Sequence, residues 1–218
     1  MKIKKLTFSP FQENTYVVWD EETLETIIID PSCLSSNEEL ELKIFISENK
    51  LNVKYLINTH GHLDHIFGNA FVKENFNLIH YAPEKDLPLF EGAKEQAEGY
   101  GITMKASPLP NKYLEESTQL FIGKIEIQFL FTPGHTPGEF CIYFPTESVC
   151  ITGDVLFKES IGRTDLWGGN YSTLMNSIRT KLLVLPKETV IYPGHGEKST
   201  IKSEIQNNQF LHHQPLNP

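Results

Sequence analysis

The sequence predicts an α/β protein in which two mixed β-sheets face each other and helices cover them. Three observations carry that reading. Short apolar runs rich in β-branched and aromatic residues come in two groups along the chain, each with amphipathic stretches between its members. Several of these runs stop at a Gly- or Pro-containing turn that presents a single His or Asp. The 218 residues are enough for one domain with a core between two layers. A single domain over 1–218 is therefore expected, with a short tail from about residue 200.

Taken in order, Asn14 to Trp19 and Thr26 to Ile29 read as strands joined by the charged turn Asp20-Glu21-Glu22. Glu38 to Asn49 carries Leu40, Leu42, Ile44, Phe45 and Ile46 at mixed helical spacing and reads as a surface helix. Val53 to Asn58 reads as a buried strand, and Ile66 to Asn75 as a helix. Asn77 to Tyr81 is a short strand whose His80 is expected to be structural. Asp86 to Tyr100 is a more polar helix, and 85–118 is expected to form a flap. Strands follow at Leu120–Ile122, Lys124–Phe131, Phe140–Phe144 and Val149–Thr152. Ser172 to Leu185 aligns Leu174, Ile178, Leu182 and Leu185 on one helix face, Val190–Tyr192 is a strand, and Ile201–Leu211 a last helix.

Residues 59–65 read Thr-His-Gly-His-Leu-Asp-His. The order HxHxDH would arise by chance roughly once in three or four thousand chains of this composition, so it outweighs an ordinary short motif. Imidazole and carboxylate are donors that zinc and iron accept. His60 and His62 fall on one side of an extended loop, and Asp64 and His65 at a helix start where a carboxylate suits the dipole. Two ligand groups a few ångströms apart are what neighbouring metals require. Three further candidates follow strand-like runs: His135 in Thr132 to Gly138, Asp154 in Gly153-Asp154, and His195 in Pro193 to Gly196.

The formal net charge of −9 without a basic block argues against a nucleic-acid partner. Cys33, Cys141 and Cys150 lack metal-ligand spacing and read as reduced, buried thiols. With no secretory signal and no membrane-length apolar run, a cytoplasmic location is expected.

The chain resembles the metallo-β-lactamase superfamily, and within it the short single-domain glyoxalase II (hydroxyacylglutathione hydrolase-like) group. The resemblance rests on HxHxDH, TPGHTPG at Thr132 to Gly138, GDVLF at Gly153 to Phe157, SIGRTDLWGG at Ser160 to Gly169, and YPGHG at Tyr192 to Gly196. It covers nearly the whole chain and implies an αββα sandwich. It also implies that His60, His62 and His135 hold one metal and that Asp64, His65 and His195 hold a second, with Asp154 bridging. Two divalent cations follow, zinc first, with iron or manganese also compatible with these donors. The implied reaction is hydrolysis of an S-acyl-glutathione-type thioester by a metal-bridging hydroxide, with Asp64 and Asp154 available to relay a proton. Related proteins with similar motifs are mono-iron persulfide dioxygenases, which is the alternative activity; a non-catalytic binder is a third reading. In many lactamases proper a cysteine stands where Asp154 does, which points away from antibiotic hydrolysis. The family's Asp-Pro-Gly turn appears here as Asp30-Pro31-Ser32. Asp165 is a candidate to brace a ligand, and Tyr143, Phe157, Trp167 and Tyr192 are candidates to line the pocket. Larger members add a helical domain after the position of His195, so the thiol half of the substrate stays open, as does the oligomeric state.

Overall fold

The computed structural model describes residues 1–212. The first half of the chain forms β1 (Lys2–Phe8), β2 (Glu13–Trp19), β3 (Glu25–Ile29), α1 (Ser36–Glu48), β4 (Asn52–Ile57), α2 (Leu63–Ile66), α3 (Asn69–Asn75), β5 (Ile79–Ala82), α4 (Leu87–Gly99) and β6 (Lys112–Tyr113). Its strands make one sheet in sequence order, antiparallel from β1 to β3 and parallel from β3 to β6. The second half forms β7 (Leu120–Ile122), β8 (Ile125–Phe131), β9 (Phe140–Phe144), β10 (Val149–Gly153), the small hairpin β11 (Leu156–Phe157) and β12 (Ser160–Ile161), α5 (Tyr171–Ser177), β13 (Val190–Pro193), β14 (Ser199–Thr200), α6 (Ile201–Asn207) and α7 (Gln209–His212). The second sheet runs β14-β13-β10-β9-β8-β7, with β10 and β13 parallel and its other pairs antiparallel.

Alternation along the strands assigns each side chain to a layer. Ile27 and Ile29 of β3 point between the sheets, where they meet Ile127, Phe129, Ile142 and Phe144. Ile28 points the other way, to a cluster with Leu42 and Ile46 of α1 and Phe71 and Val72 of α3. Cys141 and Cys150 likewise face outward, under Leu174 and Ile178. The result is the expected αββα sandwich. All three cysteines are free and buried. A capping box fixes the start of α1: the Ser35 hydroxyl accepts from the Glu38 N–H, and the Glu38 carboxylate accepts from the Ser35 N–H. Among the described residues no helix is long and apolar enough to cross a membrane.

Several elements depart from the sequence expectation. The helix expected from Ile66 to Asn75 is two pieces, α2 and α3, meeting at Gly68. Gly68 donates to the Pro31 carbonyl at 2.7 Å, and a β-carbon there would sit 2.4 Å from Cys33 Sγ. The helix expected over 172–185 is α-helical only to Ser177 and continues as a π turn, Ile178–Leu182. Four-residue spacing drifts around an α-helix, and a wider turn corrects the drift, so Leu174, Ile178 and Leu182 are all fully buried. The described part of the expected tail, to His212, is integrated: Ile201 lies in the core, and Asn208 separates α6 from α7. His213 lies outside the described residues. The stretch 85–118 is tied down at both ends. Helix α4 buries Phe90, Ala93 and Ala97 against Leu63 and Ile66, and β6 pairs with β5.

Candidate metal centre

Four strands deliver the predicted ligands from one edge of the sandwich. The loop after β4 carries His60 and His62, then α2 carries Asp64 and His65. The loop after β8 carries His135, Asp154 follows β10, and His195 follows β13. The Phe140 N–H donates to the Thr59 carbonyl at 3.0 Å, joining the two sheets at this edge. The β10–β13 register shifts between Ile151 and Gly153, a bulge that re-aims the chain into Asp154. Gly153 has φ +48°, and a β-carbon on it would stand 2.7 Å from Glu139 Oε1. Gly194 is required more strictly, because its β-carbon would meet Asp154 Oδ1 at 2.4 Å.

All seven predicted residues meet. His62 Nδ1 lies 3.1 Å from His60 Nε2 and 2.8 Å from His135 Nε2. Nitrogens on one tetrahedral cation at about 2.0–2.1 Å would be spaced about 3.3 Å apart, close to the observed separations. Asp64, His65 and His195 form the second group, with His195 Nε2 3.2 Å from Asp64 Oδ2. Asp154 stands between the groups. Its Oδ1 is 3.5 Å from His65 Nε2, and its Oδ2 is 3.5 Å from His135 Nε2 and 3.7 Å from His195 Nε2.

The far ring nitrogens decide which atoms are free to bind. His135 Nδ1 donates to the Arg163 carbonyl at 2.8 Å, leaving Nε2 as a lone pair. Thr59 Oγ1 donates to Asp30 Oδ2 and so accepts from His60 Nδ1 at 3.0 Å, which leaves His60 Nε2 as a lone pair. His65 Nδ1 faces Asp30 Oδ2 at 3.0 Å and Glu13 Oε1 at 3.4 Å. His195 Nδ1 faces the Gln12 carbonyl at 3.3 Å. Inward lone pairs braced from behind are the pattern of a metal site. The residues fit such a group on a second ground: His65 Nε2 and Asp154 Oδ1 are buried and have no hydrogen-bond partner.

Charge separates the two groups. Burial pushes His60 and His135 below the usual imidazole range, and burial with the nearby His135 and His65 takes His62 down to about 3. These three are neutral donors at pH 7. Burial opposes charge on His65 too, but the carboxylates of Glu13, Asp154, Asp30 and Asp64 outweigh it and hold this histidine well up. His195 is raised against burial by its hydrogen bond to Asp64 and by Asp154. Burial would raise Asp64 and Asp154, yet the facing histidines hold both below the ordinary carboxylate value. Burial drives Glu13 and Glu139 far up.

Four supporting carboxyls lie outside the motif. Glu13 and Asp30 stand behind His65, Glu139 accepts from the Asp154 N–H at 2.8 Å, and Asp86 binds two ligand loops. Asp30 carried a signal, its place at a strand end before Pro31; Glu13, Asp86 and Glu139 carried none. His80 is structural, as expected. It is buried, and its Nε2 faces Asn58 Oδ1 at 2.7 Å while Asn58 Nδ2 donates to the His65 carbonyl. The 163–165 loop braces a ligand through the Arg163 main chain, whereas Asp165 turns outward and pairs with the Arg163 side chain at 2.7–2.8 Å.

A cleft of about 460 Å³ opens over the donors, walled by Phe11, Tyr100, Phe157, Ile161, Arg163 and Leu166. Of the four aromatic candidates to line it, each more readily read as core, Phe157 does. Tyr143 is in the outer core of the second sheet, Tyr192 packs on Tyr16 at 5.7 Å, and Trp167 is exposed outside the lining.

The family profile described as Metallo-beta-lactamase superfamily matches residues 8–195. Hydroxyacylglutathione hydrolase GloC of Haemophilus influenzae is 39% identical over 213 residues, covering 97% of this chain and 98% of its own. The crystal structure of BLEG-1 B3 metallo-beta-lactamase superposes with TM-score 0.88 at 32% identity, over 96% of this chain and 99% of that one. TTHA1623 in a di-iron-bound form gives TM-score 0.84 at 37% identity, over 95% of this chain and 100% of that one.

Proposed function

This chain belongs to the metallo-beta-lactamase superfamily, and from that premise we propose that it is a metallo-hydrolase acting on S-acyl thioesters of the acyl-glutathione type. The observation that carries the reading is Asp154, placed between two complete donor groups on the floor of an apolar-walled cleft. His60, His62 and His135 would hold one divalent cation and Asp64, His65 and His195 the other, with Asp154 offering an oxygen to each. Such cations, when bound, supply Lewis acidity and make water nucleophilic near neutral pH.

The protein's own groups do the rest. Arg163 O and Thr59 Oγ1 keep His135 and His60 in the tautomer that points a lone pair inward, and Asp30 Oδ2 holds His65 by Nδ1 so that its Nε2 faces the centre. Asp64 and Asp154 stay ionised at neutral pH, so both are available as charged donors to a cation. Phe11, Tyr100, Phe157 and Leu166 give the cleft an apolar wall against which the arm of a substrate would shed water. The departing thiol ionises at about 8.5, so no dedicated side-chain acid is needed to expel it.

Protein whose metals have been counted should be assayed against S-lactoylglutathione and other acyl thioesters, a β-lactam and a persulfide. Two metals per chain with thioester hydrolysis is the expected result. One iron per chain with O₂ uptake on the persulfide would overturn it in favour of the oxygenase. Preferred β-lactam turnover would place the chain with the neighbour named a lactamase. No turnover by the loaded protein would leave the fold as a binder.

A further inference from the structure

Asp86 is fully buried at the junction of a 3₁₀ turn (Glu84–Asp86) and α4. An aspartate there would ordinarily cap the helix, but this one makes no such bond. Its carboxylate reaches instead into the two loops that carry His60, His62 and His135. Oδ2 accepts from the Gly61 N–H at 3.1 Å and from Thr136 Oγ1 at 2.8 Å, and Oδ1 accepts from the Gly138 N–H at 2.8 Å. Gly61 lies between His60 and His62, and Thr136 follows His135. The fit is close: a β-carbon on Gly138 would stand 2.6 Å from Asp86 Oδ1, and one on Gly61 would stand 3.0 Å from the Asp86 carbonyl oxygen.

The other donor group is held by different residues. The Asn14 N–H donates to the Gly194 carbonyl at 2.7 Å, and the Tyr16 hydroxyl and Asn14 Nδ2 donate to the Pro193 carbonyl. Asp30 and Asn58 hold His65. None of the three Asp86 bonds touches that group.

We infer that Asp86 is a positioning residue, a clamp that fixes the spacing of the His60, His62 and His135 nitrogens and sets the affinity of that group alone for a divalent cation. Because α4 also carries Gln96, and Tyr100 just past its end, into the cleft wall, the clamp fastens the wall to this half of the centre. Asparagine in its place has one oxygen and an NH₂ group that would face a donor, so at least one bond is lost without a change of volume.

The inference rests on the metal-centre reading, and the test separates the two. Zinc affinity is measured against a chromophoric chelator in two backgrounds, His195→Ala, which isolates the His60, His62 and His135 group, and His135→Ala, which isolates the other. Asp86→Asn should weaken zinc binding roughly 10–100-fold in the first background, the range for a lost outer hydrogen-bond partner, and less than twofold in the second. Thr136→Val, which removes one of the three bonds, should fall between in the first background. Equal weakening in both backgrounds, or none in either, would overturn the clamp. If the unsubstituted protein binds no zinc, iron or manganese, the metal-centre reading itself fails.

Discussion

The two halves of the centre differ in how far they are closed. His60 and His135 are 0% and 2% exposed in their side chains, and their imidazoles are neutral donors held by rigid acceptors. In the other half His195 is 31% and Asp64 17% exposed, and the outer ring nitrogen of His195, Nδ1, has only a 3.3 Å contact to a main-chain carbonyl. The first half is the more buried, although His62 and His135 still edge the cleft. The second is more open at His195 and Asp64, where a substrate and an exchanging cation would enter.

Removing a ligand should give the largest effects, and they should be unequal. Asp154→Asn and His135→Ala are expected to cut thioester kcat/KM on the order of 10³-fold or more, because the Lewis acid is no longer held where it acts. His195→Ala should cost less, since the closed half survives. Thermal melts run beside the assays should move far less than activity does. Equal losses at His135 and His195 would erase the distinction between the halves.

Stepwise chelation comes next in size. One metal per chain should leave first, at least about tenfold more readily than the other, because a braced and buried donor set gives up its cation reluctantly. In the His195→Ala protein the weak step should be missing while the tight step remains. Release of both ions in a single step would break the comparison.

The legibility of the chain divides along the same line. HxHxDH, His135, Asp154 and His195 could be read because each ends a strand-like run in a Gly- or Pro-bearing turn, and a turn that presents one polar side chain leaves a local pattern. The two-sheet core was legible from runs such as Ile27-Ile28-Ile29. What braces the ligands was not. Glu13 lies within a strand, Asp86 looks like an acidic residue at a helix start, and Glu139 follows a turn, yet all three are fully buried by contacts far away in sequence. Helix breaks at Gly68 and Ser177 were hidden for the same reason: close packing against Pro31 and Cys33, and a drift of the apolar stripe, are tertiary effects.

A smaller effect should appear in stability against pH. Burial raises the Asp86 carboxyl from 3.8 to about 6, although three hydrogen bonds oppose the shift. Between those values the folded protein keeps a proton that the unfolded chain has lost, so this group makes stability fall as pH rises through that window, by roughly 3 kcal/mol in all. Asp86→Asn cannot ionise. Urea melts of the two proteins at pH 4 and pH 7 should show the variant's deficit shrinking at the higher pH. A deficit that grows instead would mean the carboxylate is favoured in place, contrary to the burial argument.

The smallest effect is expected at Asp165. Its carboxylate forks onto the Arg163 guanidinium at 2.7–2.8 Å, and both side chains are more than 60% exposed. Solvent screens such a pair, and ordering two side chains offsets most of the attraction. The useful contact in this loop is the Arg163 carbonyl on His135, which the pair does not make. Asp165→Ala should therefore leave the thermal midpoint and the metal count as they were, and in the His195→Ala background it should not change zinc affinity. A loss of zinc from the His60, His62 and His135 group would mean that the exposed pair steers the Arg163 carbonyl, making the closed half of the centre dependent on its surface after all.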